Sequence, residues 1–289
     1  MKVLITGSNG QLGSEIQDLA FNYKNLEFVF RDLPALDICN FNLIQSFIID
    51  NDINAVINCA AYTSVDEAEL DAKIAEEVNT KGVLNLVTAL NKVNGKLIHI
   101  STDYVFDGTN SEPYKESDHV NPIGVYGKTK RDGELIVINS NIDSIVIRTA
   151  WLYSSFGNNF VKTIYRLGKE KNSLNVISDQ IGTPTYARDL AKVCLDIIST
   201  VDSEKISKKG KIYHYSNEGA ASWYDFACSV MELSGSKCKV KAIQTIDYSN
   251  TAKRPYYSVL NKTKIKDHFK VDIPYWQESL KDCINKLKQ

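Results

Sequence analysis

The chain has 289 residues, 43% of them hydrophobic and 24% charged, with a formal net charge of −1. That is enough apolar material for one large domain or a main domain with a smaller companion, and the near-neutral charge, without a long basic run, excludes a surface built for nucleic acid or for an anionic membrane. The six cysteines (Cys39, Cys59, Cys194, Cys228, Cys238, Cys283) form no Cys-x-x-Cys pair, which speaks against a metal site or a disulfide scaffold; with no secretory leader pattern and no apolar run of membrane-spanning length, the expected setting is the cytoplasm.

The first half alternates short apolar runs with amphipathic ones. Strands are predicted at 2–6, 27–31, 55–58, 96–101 and 144–149, and helices at 11–19, 42–50, 71–91 and 128–138. This alternation predicts right-handed βαβ crossovers and a doubly wound parallel sheet, an α/β Rossmann arrangement covered on both faces. After Trp151 the rhythm loosens: helices at 160–170, 189–199, 223–233 and 276–287 alternate with short strands at 174–177, 211–215 and 239–243. The expected organisation is a dinucleotide-binding domain over residues 1–150 and a smaller, partly interleaved substrate-binding domain over 151–289, with the strand near 211–215 rejoining the main sheet. The locally basic segment 205–211 reads as a solvated loop.

Directly after the first strand comes Gly7-Ser8-Asn9-Gly10-Gln11-Leu12-Gly13. Glycines at this spacing permit a tight turn, close approach of backbone to a pyrophosphate and close helix–strand packing, and the helix that follows presents N–H groups and the positive end of its dipole. The second strand ends in Arg31-Asp32, with Asp37 and Ile38 following. An acid here accepts from a ribose hydroxyl, whereas Arg31 suits a 2′-phosphate; the reading adopted is NADPH, with NADH also accepted. Ala60, Ala61, Tyr62 and Thr63 lie past the third strand, at the carboxyl edge where such cofactors rest.

The fourth strand runs into Ser101-Thr102-Asp103-Tyr104, and the next helix carries Tyr126 and Lys130. Residues four apart share a helix face, so the ammonium is expected to stand beside the phenol and lower its pKa towards the working range. Thr102 is expected to hold a carbonyl oxygen that Tyr126 protonates.

The glycine turn, Thr102 and the Tyr126/Lys130 pair, in this order, resemble the extended short-chain dehydrogenase/reductases. The resemblance narrows to the dTDP-4-dehydrorhamnose reductase family through Ser101-Thr102-Asp103-Tyr104-Val105-Phe106, Asp179-Gln180-Ile181-Gly182-Thr183-Pro184-Thr185, Arg148-Thr149-Ala150-Trp151 and Arg254-Pro255. It covers nearly the whole chain. It implies reduction of a 4-keto nucleotide sugar to dTDP-L-rhamnose, the last step in making that sugar for a cell-surface polysaccharide. NAD(P)H would deliver hydride to C4, Tyr126 would act as general acid, Thr102 would hold the oxygen and Lys130 the ribose. It further implies Val65, Asp103, Tyr104 and Trp151 around the deoxysugar, Asn159, Gln180 and Thr185 on the nucleotide, and Arg254 on the diphosphate. Another 4-keto-6-deoxy nucleotide-sugar reductase, an epimerase and a non-catalytic cofactor-binding regulatory subunit are the alternatives. Glu15 is a conceivable metal ligand, but Arg188 beside Asp189 gives mixed charge there, and no metal is expected. The chain is expected to act as a monomer or homodimer.

Overall fold

The computed structural model describes residues 1–199, 210–248 and 251–289. Most of the basic segment expected to be a loop, residues 205–209, lies outside them. In chain order the first half runs β1 (Lys2–Thr6), α1 (Gln11–Leu19), β2 (Glu27–Arg31), α2 (Phe41–Asp50), β3 (Ala55–Asn58), α3 (Val65–Leu70), α4 (Ala72–Glu76), α5 (Gly82–Lys92), β4 (Lys96–Thr102), α6 (Val125–Ile138) and β5 (Asp143–Thr149). The second half adds β6 (Leu152–Tyr153), α7 (Phe160–Glu170), β7 (Ser173–Ile177), β8 (Ile181–Gly182), β9 (Thr185–Tyr186), α8 (Ala187–Ser199) and β10 (Lys211–His214). It ends with β11 (Ala221–Ser222), α9 (Trp223–Ser234), β12 (Lys239–Ile243), α10 (Thr263–Phe269) and α11 (Trp276–Leu287).

Six strands form one parallel sheet in the order β2-β1-β3-β4-β5-β10. Alternation along each strand sends side chains to two separate cores. Ile145 and Ile147 of β5 pack with Ile16 of α1 and Leu190 of α8; Val146 faces the other way, with Leu86 of α5 and Val137 of α6. The chain leaves β1 to build β2 on one side and returns to build β3 on the other. The carboxyl ends of β1 and β3 therefore open a crevice, the position at which sheets of this type bind ligands. A third core, with Val161, Phe226, Val230 and Leu280, gathers α7, α9 and α11 into a smaller layer beside the sheet.

The helix predicted over 71–91 is divided. Asp71 caps α4, accepting from the Ile74 N–H, and one π turn, Glu77–Lys81, separates α4 from α5. Wide turns of this kind re-aim side chains, and here the side chain is that of Asn79. Its Oδ1 accepts from the Tyr62 N–H at 2.9 Å, and its Nδ2 donates to the Tyr62 carbonyl at 3.0 Å and to Thr129 Oγ1 at 3.2 Å. The segment after β3 is thereby pinned to α6. That helix begins at Val125, earlier than the sequence pattern indicates, because Glu69 of α3 reaches across to accept the Val125 N–H at 2.7 Å.

Candidate active site

A cavity of about 540 Å³ lies along the carboxyl ends of β1, β3, β4 and β5. At its β1 end, Gly7 has φ +59°, and a Cβ there would stand 2.7 Å from the Ala60 nitrogen, so only glycine lets β1 and β3 approach this closely. Helix α1 then opens at Gly10 without a side-chain cap and without an acid in its first turn. The N–H groups of Gln11 and Leu12 and the positive end of the helix dipole face the cavity unopposed. The buried Oε1 of Gln11 has no protein partner. This is a cradle for an anion with a polar group beside it, and it fits the pyrophosphate of a dinucleotide.

The adenosine side differs from what the sequence suggests. The Arg31 guanidinium donates to the Phe30 carbonyl at 2.8 Å and lies over the Phe47 ring, 5.3 Å from its centroid. Asp37 accepts from the Cys39 N–H within its own turn at 2.9 Å, and Ile38 is buried in the core. None of the three lines the cavity. The carboxylate brought to the glycine loop is that of Asp32, which accepts from the Asn9 N–H at 2.8 Å. The sequence reading looked for an acid at the end of the second strand and chose Asp37, whereas Asp32 is the one at the loop.

At the β4 end, Thr102, Asp103, Tyr104, Tyr126 and Lys130 line one wall, with Ala61, Thr63 and Val65 adjoining. Tyr126 meets Tyr104 edge to face at 5.6 Å. The phenol is not lowered as the Tyr-x-x-x-Lys spacing suggests: burial pushes it up to about 12, a contact with the Thr102 hydroxyl acts the other way, and the Asp103 carboxylate adds to the rise. The reason lies in the rotamer of Lys130, whose Nζ donates to the Ile100 carbonyl at 2.6 Å. Burial also brings that ammonium down to about 8, against the pull of Glu134. Thr102 accepts the Tyr104 N–H at 3.2 Å and donates to Asp103 Oδ1 at 3.1 Å. Asp103 is itself raised to about 6 by burial, and its Oδ2 is enclosed without a partner.

The far end is aromatic. Trp151, held at φ +46°, stacks on Trp223 with ring centroids 3.6 Å apart and planes 9° apart. Asn158 and Asn159 complete this end; Asn159 caps α7, accepting from the Lys162 N–H at 3.0 Å. Trp223 was not singled out from sequence, because it stands 72 positions after its partner and opens an ordinary amphipathic helix. Three expected nucleotide contacts lie off the cavity. Gln180 Nε2 donates to Thr245 Oγ1 at 3.0 Å, Thr185 is fully buried in β9, and the Arg254 guanidinium pairs with Asp66 at 2.6 Å. Ala60 and Tyr62 flank the lining residue Ala61 without lining the cavity themselves, while Gly13 packs α1 on the glycine turn, where a Cβ would come 2.5 Å from the Gly7 carbonyl oxygen. Glu15 is buried and engaged by cations and a hydroxyl: Ser154 donates to it at 2.6 Å and Arg188 at 3.1 Å.

A doubly wound parallel sheet with a glycine turn at its crevice and Thr102, Tyr126 and Lys130 lining the cavity beyond it is the framework of an NAD(P)H-dependent oxidoreductase. The family model described as "RmlD substrate binding domain" matches residues 1–289, and the chain belongs to this family, that of the dTDP-4-dehydrorhamnose reductases. A dTDP-4-dehydrorhamnose reductase of Aggregatibacter actinomycetemcomitans is 42% identical over 287 residues, 97% of each chain. The crystal structure of such a reductase from Clostridium acetobutylicum is 44% identical, covers 100% of both chains and superposes with a TM-score of 0.93. The Bacillus anthracis enzyme, solved in complex with NADP, is 36% identical over 99% of both chains, with a TM-score of 0.92. Among the described residues no helix is long and apolar enough to cross a membrane.

Proposed function

We propose that the chain reduces the C4 ketone of dTDP-4-dehydro-L-rhamnose, giving dTDP-L-rhamnose, in the cytoplasm. The observation that carries this reading is the cavity that Thr102, Tyr126 and Lys130 all line, continuous with the α1 cradle at one end and the Trp151–Trp223 stack at the other. Bound in that cradle, the dinucleotide supplies the hydride. The Thr102 hydroxyl holds the sugar's O4, and Tyr126 delivers the proton that turns O4 into a hydroxyl. A phenol with a pKa near 12 remains protonated throughout the neutral range, the state a donor needs. Lys130, whose Nζ donates to the Ile100 carbonyl, would hold a ribose hydroxyl of the dinucleotide. The aromatic stack offers an apolar surface to the deoxysugar, with Val65 and Tyr104 beside it.

For the cofactor, the sequence reading of NADPH rested on Arg31. The turned-away guanidinium and the Asp32 carboxylate at the glycine loop support NADH as the better substrate of the pair, since a 2′-phosphate beside Asp32 meets like charge. The test is steady-state oxidation of NADH and of NADPH by purified protein given dTDP-4-dehydrorhamnose. No oxidation of either sinks the proposal, and a product other than dTDP-L-rhamnose favours a reductase of different stereochemistry.

The same assay carries a pH prediction. As pH rises through about 8, Lys130 loses its proton and its charge, so kcat/KM is expected to fall on the alkaline side. As pH falls through about 6, Asp103 gains a proton and no longer holds the single Thr102 hydroxyl proton as a carboxylate, which leaves that hydroxyl free to donate to the sugar oxygen, so no loss of kcat/KM is expected on that side. A single alkaline limb near 8 is the expected profile; a limb that persists unchanged in Lys130→Met assigns it elsewhere.

A further inference from the structure

We propose that the Thr149 hydroxyl is a cofactor-orienting group that hydrogen-bonds the carboxamide of the nicotinamide. This rests on the reading that a nicotinamide dinucleotide occupies the cavity. Thr149 is the last residue of β5, lines the cavity and is 7% exposed. Its Oγ1 is enclosed and has no hydrogen-bond partner. Buried hydroxyls are almost always paired, and one left unpaired at a cavity wall points to a partner arriving through the cavity.

Register and face narrow what that partner is. Thr149 pairs across the sheet with Thr102, so the two side chains lie next to each other on one face of the β4–β5 ribbon. Thr102 is already engaged, with Asp103 and the Tyr104 N–H; Thr149 is not. The face is the one on which Ile145 and Ile147 of the same strand pack against α1 and α8. A dinucleotide whose pyrophosphate rests on the α1 N-terminus therefore arrives at β5 from the Thr149 side. Tyr126 and Lys130 stand on α6, which packs on α3 and covers the opposite face of the sheet. A carboxamide carries two donors and an acceptor, matching a hydroxyl that offers one donor and two lone pairs. Seated there, it locks the ring about its glycosidic bond and orients it towards Thr102 and Tyr126.

Equilibrium binding without turnover tests this, using NAD⁺, its pyridine analogue lacking the carboxamide, and ADP-ribose as probes on wild type, Thr149→Val and Thr149→Ser. Wild type is expected to prefer NAD⁺ over the pyridine analogue. Thr149→Val, close in volume, is expected to bind NAD⁺ about 10-fold more weakly, with the pyridine analogue and ADP-ribose unchanged, and Thr149→Ser to restore the preference. NAD⁺ binding unchanged in Thr149→Val overturns the assignment, as does a loss shared equally by all three probes, which marks a packing role. Wild type that binds none of the three overturns instead the reading of the cavity as a dinucleotide site.

Discussion

Replacing Tyr126 by phenylalanine is expected to lower kcat for sugar reduction by about 10²- to 10⁴-fold, the range over which a positioned general acid contributes, with dinucleotide affinity close to wild type. The substitution is clean for a structural reason. The ring's packing is an edge-to-face contact with Tyr104, which phenylalanine reproduces, and the hydroxyl's contact is with Thr102 at the cavity wall. Only the group that carries the proton is removed. A phenol raised to about 12 is a reluctant donor to a ketone but a competent one to an oxygen that is already becoming an alkoxide. The proton is therefore expected to move late, after Thr102 and Lys130 have stabilised the developing charge, and Thr102→Val should compound with Tyr126→Phe less than additively, because both act on the same oxygen. Single-turnover kinetics with saturating dinucleotide reads the chemical step directly. Near wild-type turnover in Tyr126→Phe removes the acid role from this residue.

The parallel sheet was legible because its strands are buried on both faces: runs such as Val3-Leu4-Ile5 and Ile145-Val146-Ile147 cannot be mistaken for surface segments. The glycine turn was legible because backbone geometry restricts those positions to one residue type. Less could be read where a residue's role depends on what lies opposite it. Arg31 and Asp32 are neighbours in sequence with opposite charge. Which one turns to the glycine loop is decided by Phe47, 17 positions beyond Phe30 at the end of β2's hydrophobic run, because it gives the guanidinium a ring to lie on. Arg254 looked like a free cation for a diphosphate, and Asp66, 188 positions earlier, pairs with it. The two-residue strands β6, β8, β9 and β11 carry no periodicity, so the layer that brings Trp223 onto Trp151 left no local trace. Tyr126 and Lys130 were recognisable as a pair from their spacing, but the pKa values were not, since those follow first from burial. Sequence fixes what a group is, and packing decides what it can ionise to.

The buried ion pair beneath the site carries the largest expected effect on stability. Arg148 of β5 forks onto Glu134 of α6, Nε to Oε1 and Nη2 to Oε2, both at 2.8 Å, and each side chain is 2% exposed. The guanidinium also lies over Phe106, 5.1 Å from the ring centroid, and stands 3.4 Å from His214 Nε2. His214 donates from Nδ1 to the Tyr114 carbonyl oxygen at 3.1 Å, which leaves Nε2 as an acceptor for the arginine; burial first, and the arginine charge second, hold the imidazole down at about 3, so it stays neutral. The pair ties α6, which carries Tyr126 and Lys130, to the strand that ends in Thr149. Arg148→Met leaves the Glu134 carboxylate buried and unpaired and is expected to cost about 3–5 kcal/mol in urea unfolding. Arg148→Met with Glu134→Leu removes both charges at once and is expected to regain most of that loss, because an apolar pair of similar volume needs no counter-ion. The two variants separate stability from positioning. If the pair also sets the height of α6 above the sheet, the double variant will fold stably yet still show a lowered kcat at an unchanged KM for the dinucleotide. A single variant as stable as wild type would mean that water reaches Glu134, against the burial on which the argument stands.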